Sequence, residues 1–101
     1  SIFLQGKLLH QNKSDPIILS NKKYFEKFNK FCLKNNLSKF NTCVNFLLQN
    51  KKLINHIVIG VSNFVELSNI FNKLKDKKYK HIDFNTLKIN KPSKLIDPRQ
   101  W

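Results

Sequence analysis

Methionine and alanine are absent from this 101-residue chain, and of 19 basic residues only Arg99 is an arginine. Each shortage removes a reading. A chain without Met that opens inside the apolar run Ser1-Ile2-Phe3-Leu4-Gln5-Gly6, with no signal-peptide pattern ahead of it, is expected to begin at a cut end and to be a fragment. A single arginine argues against base-specific nucleic-acid recognition, because base edges and phosphates are gripped bidentately by guanidinium groups. Cysteine is scarce as well, at Cys32 and Cys43 alone. His10, His56 and His81 share no ligand spacing with them, which argues against a metal site. The two thiols read as small buried apolar residues in the reduced state, which fits a cytoplasmic setting. No apolar run reaches the roughly 18 residues of a membrane span, so no membrane partner is expected. Internal repeats and low-complexity linkers are missing too, and the length allows at most one domain.

What the chain has in excess is lysine and asparagine. A net charge of +13 invites a nucleic-acid partner, since lysine-rich faces displace counterions from phosphate backbones. Yet 14 Asn and 10 Ile beside no Ala are what AT-rich codons produce without selection for a basic surface. The lysines are spread along the chain, tightest at Lys51-Lys52 and between Lys73 and Lys80. They read first as solvated helix faces and loop ends, with a small basic nucleic-acid-binding protein as the alternative.

Apolar spacing gives the expected elements. Ile2–Leu4, extending toward Leu9, reads as a short buried strand ending near Gly6. Tyr24, Phe25, Phe28, Phe31 and Cys32 recur at helical spacing over about Ser20 to Lys34. Asn35-Asn36 ends that helix, because asparagine tolerates the left-handed conformation. Ser38 is a good N-cap for a second helix whose stripe is Phe40, Cys43, Val44, Leu47 and Leu48. His56 to Val61 reads as a strand buried on both faces, the kind found in parallel sheets covered by helices. A third helix is expected from Asn63 to about Lys75, with Phe64, Leu67, Ile70, Phe71 and Leu74 inward. The tail from Ile82 is irregular, with apolar residues suited to packing along a larger body. Strand, helix pair, strand, helix is the order of a parallel α/β fold.

The junction His56–Leu67 carries the chemistry. A helix that starts just past a strand's end points its free N–H groups and positive dipole end outward, which makes an anion site. Ser62 and Asn63 stand there, as cap and as candidate phosphate ligands at once.

Phe3-Leu4-Gln5-Gly6, Ile57-Val58-Ile59-Gly60-Val61-Ser62 and Ile96-Asp97-Pro98-Arg99-Gln100-Trp101, taken in order, resemble the aldo/keto reductase family. Leu37-Ser38 with its amphipathic helix looks like that family's seventh helix. The resemblance implies the C-terminal portion of a (β/α)8 barrel over residues 1–101: two parallel strands, about three helices and an irregular tail. It implies NADP or NAD as cofactor and a small carbonyl or alcohol substrate. Ser1, Phe3 and Gln5 would touch the cofactor pyrophosphate. Gly60, Val61, Ser62 and Asn63 would cradle the adenosine ribose and its phosphate, with Glu66, Asn69 and Ile70 facing that phosphate and the adenine. The family's catalytic Asp, Tyr, Lys and His correspond to nothing here; neither Tyr24 nor Tyr79 is the catalytic tyrosine. Hydride transfer needs an acid at the carbonyl oxygen, so the chain alone is expected to be inactive, and a non-catalytic relative that keeps the barrel for a structural purpose is a further alternative.

Several of these residues carry a structural reading beside the functional one. With Asn63 as N-cap, Glu66 falls where a carboxylate closes a capping box, and it would also repel a 2′-phosphate or accept from a ribose hydroxyl. Gly60 reads equally as room for a turn. Trp101 reads as an anchor for the tail, and Asp97 with Arg99 as a local pair.

Overall fold

The computed structural model describes residues 2–91 and 93–101. Its α-helices are α1 (Pro16–Ser20), α2 (Lys22–Lys34), α3 (Lys39–Gln49) and α4 (Phe64–Asp76), with short 3-10 turns at Lys51–Leu53, Asn85–Leu87, Lys94–Ile96 and Pro98–Gln100.

Local chemistry sets the helix ends. Asp15 accepts from the Ile17 N–H at the head of α1, and Pro16 fills the first helical position, where its missing N–H costs nothing. Asn21 interrupts the expected Ser20–Lys34 helix: its side chain donates to the Ile17 carbonyl, and its backbone leaves helical geometry before α2 starts. At the far end of α2, Asn36 takes a left-handed φ of 54°. The Asn36 N–H then reaches the Leu33 carbonyl and the Leu37 N–H the Cys32 carbonyl, the paired bonds of a Schellman end. Ser38 caps α3 through the Asn41 N–H at 3.0 Å, as its position foretold. Asn63 caps α4, and Lys77 ends it at φ 58°. Of the five residues expected inward on α4, Ile70 is buried and Leu74 packs partly on the core, whereas Phe64, Leu67 and Phe71 are exposed because the described residues place no sheet against that face.

α3 lies at the centre. Val44 is 0 % exposed, and Cys43 and Leu48 join Phe3, Phe28, Cys32 and Ile70 in one core cluster. Ile18, Phe25 and Leu95 form a smaller one where the tail crosses α1 and α2. Phe84 wedges the tail against both central helices, with ring centroids 5.3 Å from Phe31 and 5.2 Å from Phe46.

The α/β expectation fails. Among the described residues there is no strand and no sheet, so neither the pair of parallel strands nor the barrel portion they would belong to is present. The first expected strand is a compact left-handed turn instead, with φ of 52° at Leu4, 52° at Gln5 and 81° at Gly6. The Leu8 N–H closes on the Phe3 carbonyl and the His10 N–H on Gly6. A left-handed non-glycine residue costs about 1–2 kcal/mol. Burial of Phe3, stacked on Phe40 at 5.8 Å, works against that cost. The second expected strand, His56–Val61, does run without a bend. A strand exists only as one member of a hydrogen-bonded pair, however, and once residues 2–9 coil up it has no partner within the described chain.

Candidate functional site

The N-terminus of α4 is built by reciprocal side-chain bonds. Asn63 is extended, and its Oδ1 accepts the Glu66 N–H at 2.9 Å. Glu66 reaches back, and its Oε2 accepts the Ser62 N–H at 2.8 Å. This is a capping box shifted one residue upstream of the usual form, in which the carboxylate meets the N–H of the cap residue itself. Two donors of the junction are thereby consumed, and the Glu66 carboxylate is held at the Ser62 side of the helix end. The N–H groups of Phe64 and Val65 remain the first-turn donors without a helical acceptor.

Gly60, Val61, Ser62 and Asn63 are all exposed around this helix end, and Glu66 is half-buried beside them. Asn69 is exposed one turn further along and borders a shallow hollow with Phe40, Asn72, Lys73 and Asp76. The other residues expected on the cofactor lie elsewhere. Phe3 is 7 % exposed within the core, and Ile70, at 5 %, belongs to the same cluster. Gln5 is exposed on the left-handed turn, and Ser1 lies outside the described residues. Gly60 has no positive φ, and a Cβ there would meet nothing within 4 Å, so neither turn geometry nor crowding requires glycine at this position.

Two polar side chains that the apolar stripe hides do more for the architecture than any of these. On α3, Asn45 donates to the Lys80 carbonyl at 2.6 Å and accepts the Lys80 N–H at 2.8 Å. One turn on, Gln49 does the same to Ile82, at 2.6 and 2.9 Å. Four helical residues rise about 6.0 Å, and two extended residues span about 6.6 Å, so a helix can grip alternate residues of a straight segment. The signal was legible in outline: two amides four apart, beside an apolar stripe.

The tail motif closes on itself. Asp97 accepts from Arg99 Nε at 2.8 Å and from Arg99 Nη2 at 3.0 Å, and also takes the Gln100 amide. The Arg99 guanidinium, with the Gln100 amide, holds the Asp97 carboxyl down at about 2. Trp101 donates its indole N–H to the Lys94 carbonyl, and the Lys7 ammonium lies 5.0 Å over its ring. Lys7 also pairs with Asp15, whose carboxyl is lowered by that contact. These contacts give Asp97, Arg99 and Trp101 structural work.

Burial pushes the Cys43 thiol up to about 12, with Cys32 adding to the effect. Both cysteines are free and buried. Among the described residues no three His, Cys, Asp or Glu gather around a metal-sized space, and no helix is long and apolar enough to cross a membrane. An open cleft of about 1330 Å³ runs between α2, α3 and the tail, with Leu4, Phe46, Ile57, Val58, Ile82 and Ile89 among its walls. No family model matches the chain, and no curated protein or solved structure matches it either.

Proposed function

We propose that this chain supplies the adenosine-phosphate side of a nicotinamide dinucleotide site to an NAD(P)-dependent oxidoreductase that interconverts a carbonyl and an alcohol. The reading rests on the resemblance to the aldo/keto reductase family in three ordered motifs. The observation that supports it in the folded chain is the gathering of Gly60, Val61, Ser62, Asn63 and Glu66 at the exposed head of a 13-residue helix. It requires no sheet within this chain, only that junction. The Phe64 and Val65 N–H groups would hold a phosphate oxygen, and the second oxygen of Glu66 would be left to accept from a ribose hydroxyl. The resemblance assigns no catalytic residue here, so the chain's part is to hold the cofactor rather than to move the hydride.

The test is an NMR titration of the chain with NADH, NADPH and inorganic pyrophosphate. The reading expects weak, saturable shifts at the amides of residues 60–70, larger with either dinucleotide than with pyrophosphate. Glu66→Arg should then raise NADPH affinity relative to NADH. Shifts spread over the lysines, matched by duplex DNA and lost steeply with salt, would replace this reading by the nucleic-acid one.

A further inference from the structure

Among the described residues, none of 55–61 makes a hydrogen bond through backbone or side chain. Residues 80–82, another stretch outside the helices, are by contrast gripped twice by α3. The free segment is His56-Ile57-Val58-Ile59-Gly60-Val61: β-branched at four positions, without proline, and without an acidic or lysine side chain from Leu53 to Val65. It runs unbent, and six residues at a strand's roughly 3.3 Å each would span about 20 Å. Its side chains already alternate. Ile59 packs against the core, and Ile57 and Val61 are less exposed than Val58, which stands 87 % exposed on the opposite side. This is the pattern of a strand with one face toward a core and, among the described residues, no hydrogen-bonded neighbour at its edges, a template for pairing with another chain.

We propose that His56–Val61 is a docking strand, paired with an extended apolar segment of a partner polypeptide that carries carboxylates at its ends. The occupant is a polypeptide because only an extended backbone presents N–H and C=O groups at the repeat of this edge; a lipid or a flat ring system leaves them unmet. It is apolar in its middle because Ile57, on the less exposed face, also lines the open cleft, so that the side chains on one face of the added strand drop between it and Ile82, Ile89 and Leu95. It is acidic at its ends by charge complementarity. Lys27 and Lys88 stand on the cleft wall against the single carboxylate Asp83, and Lys51-Lys52 lie just upstream, on a chain of net charge +13. The same charge disfavours a second copy, which would bring an equal excess of positive charge to the edge.

The probe is a synthetic nonapeptide of alternating valine and threonine with two acidic residues at each end, added to the isotope-labelled full chain. Amides of residues 55–61 exchange freely in the chain alone. With the peptide, every second one slows by at least about tenfold, because one edge of a strand uses alternate N–H groups. Raising the salt weakens binding. Val58→Pro removes a donor and weakens binding about tenfold or more, whereas Val58→Thr keeps it within about threefold. Since Val58 is exposed and unbonded, both variants should retain the helical circular dichroism and melting point of the parent, which separates lost docking from lost folding. Four results each overturn the proposal: no protection in 55–61 with the peptide, protection without alternation, equal binding by Val58→Pro, or binding that strengthens with salt. Protection in the free chain that fades on dilution overturns it in favour of a second copy as the occupant.

Discussion

Replacing Asn45 by alanine should detach α3 from the segment that carries the tail. The side chain is 6 % exposed and makes two short bonds to one residue, at 2.6 and 2.8 Å to the Lys80 carbonyl and N–H. Each such bond is worth about 0.5–1.5 kcal/mol net, so their joint loss is about 1–3 kcal/mol. Lys80 itself is exposed, so water reaches its freed backbone groups, and the lower part of that range, about 1–2 kcal/mol, is expected. Urea unfolding followed by far-UV circular dichroism measures the loss, and hydrogen exchange at the Lys80 amide locates it. Gln49→Ala should cost a similar amount. The double variant should cost less than the sum of the two, because both clamps hold one segment and the second holds little once the first is gone. Asn45→Asp sharpens the point. Its carboxylate still accepts from the Lys80 N–H but faces the Lys80 carbonyl with no proton to give. That group titrates higher in the folded state than in the unfolded chain, so the variant should gain stability as pH falls through the folded value. If Asn45→Ala unfolds within about 0.3 kcal/mol of the parent, with the Lys80 amide equally protected, the clamp contributes nothing and the reasoning is wrong.

Three further outcomes follow from the contacts. Cys43, with its thiol pushed up to about 12, and its buried neighbour Cys32 should resist a disulfide reagent at mildly alkaline pH until denaturant is added; prompt reaction of the native chain would contradict their burial. Asp97 is lowered from 3.8 to about 2, so its contribution is complete above about 4 and is lost as pH falls toward 2. Trp101 fluorescence should report the tail loosening across that window, and a change centred well above it would point to another group. Gly60→Val should fold with stability within about 0.5 kcal/mol of the parent, since its Cβ meets open space and its φ is not positive; a loss above about 1 kcal/mol would reveal a constraint at this position.

How much was legible depends on the range of the interaction. Ser38, Asn63 and the Asn35-Asn36 pair mark helix ends through bonds to residues within a turn or so, and those ends stand where the residues say. The α3 stripe is likewise local periodicity, and four of its five residues are buried, with Phe40 half-buried beside them. The candidate site was legible to the same extent. The junction at α4 is a loop and a cap, while Phe3 and Ile70 were expected on a ligand and are taken by the core.

Sequence by itself thus determined α3 and α4 with their N-caps, the C-terminal end of α2, the free thiols as apolar filler and the pairing of Asp97 with Arg99, but not α1 or the break at Asn21, because the former are settled by neighbours in the chain or by the aversion of an apolar group to water. Tertiary structure alone decided the rest. An apolar run at residues 2–9 satisfies its burial equally as a strand or as a left-handed turn, and packing of Phe3 on Phe40 selects the turn. An apolar run at residues 56–61 runs unbent, but whether it is a strand depends on a partner that its own residues do not name. Asn45 and Gln49 meet Lys80 and Ile82 across more than thirty residues of chain, and no local rule brings them together.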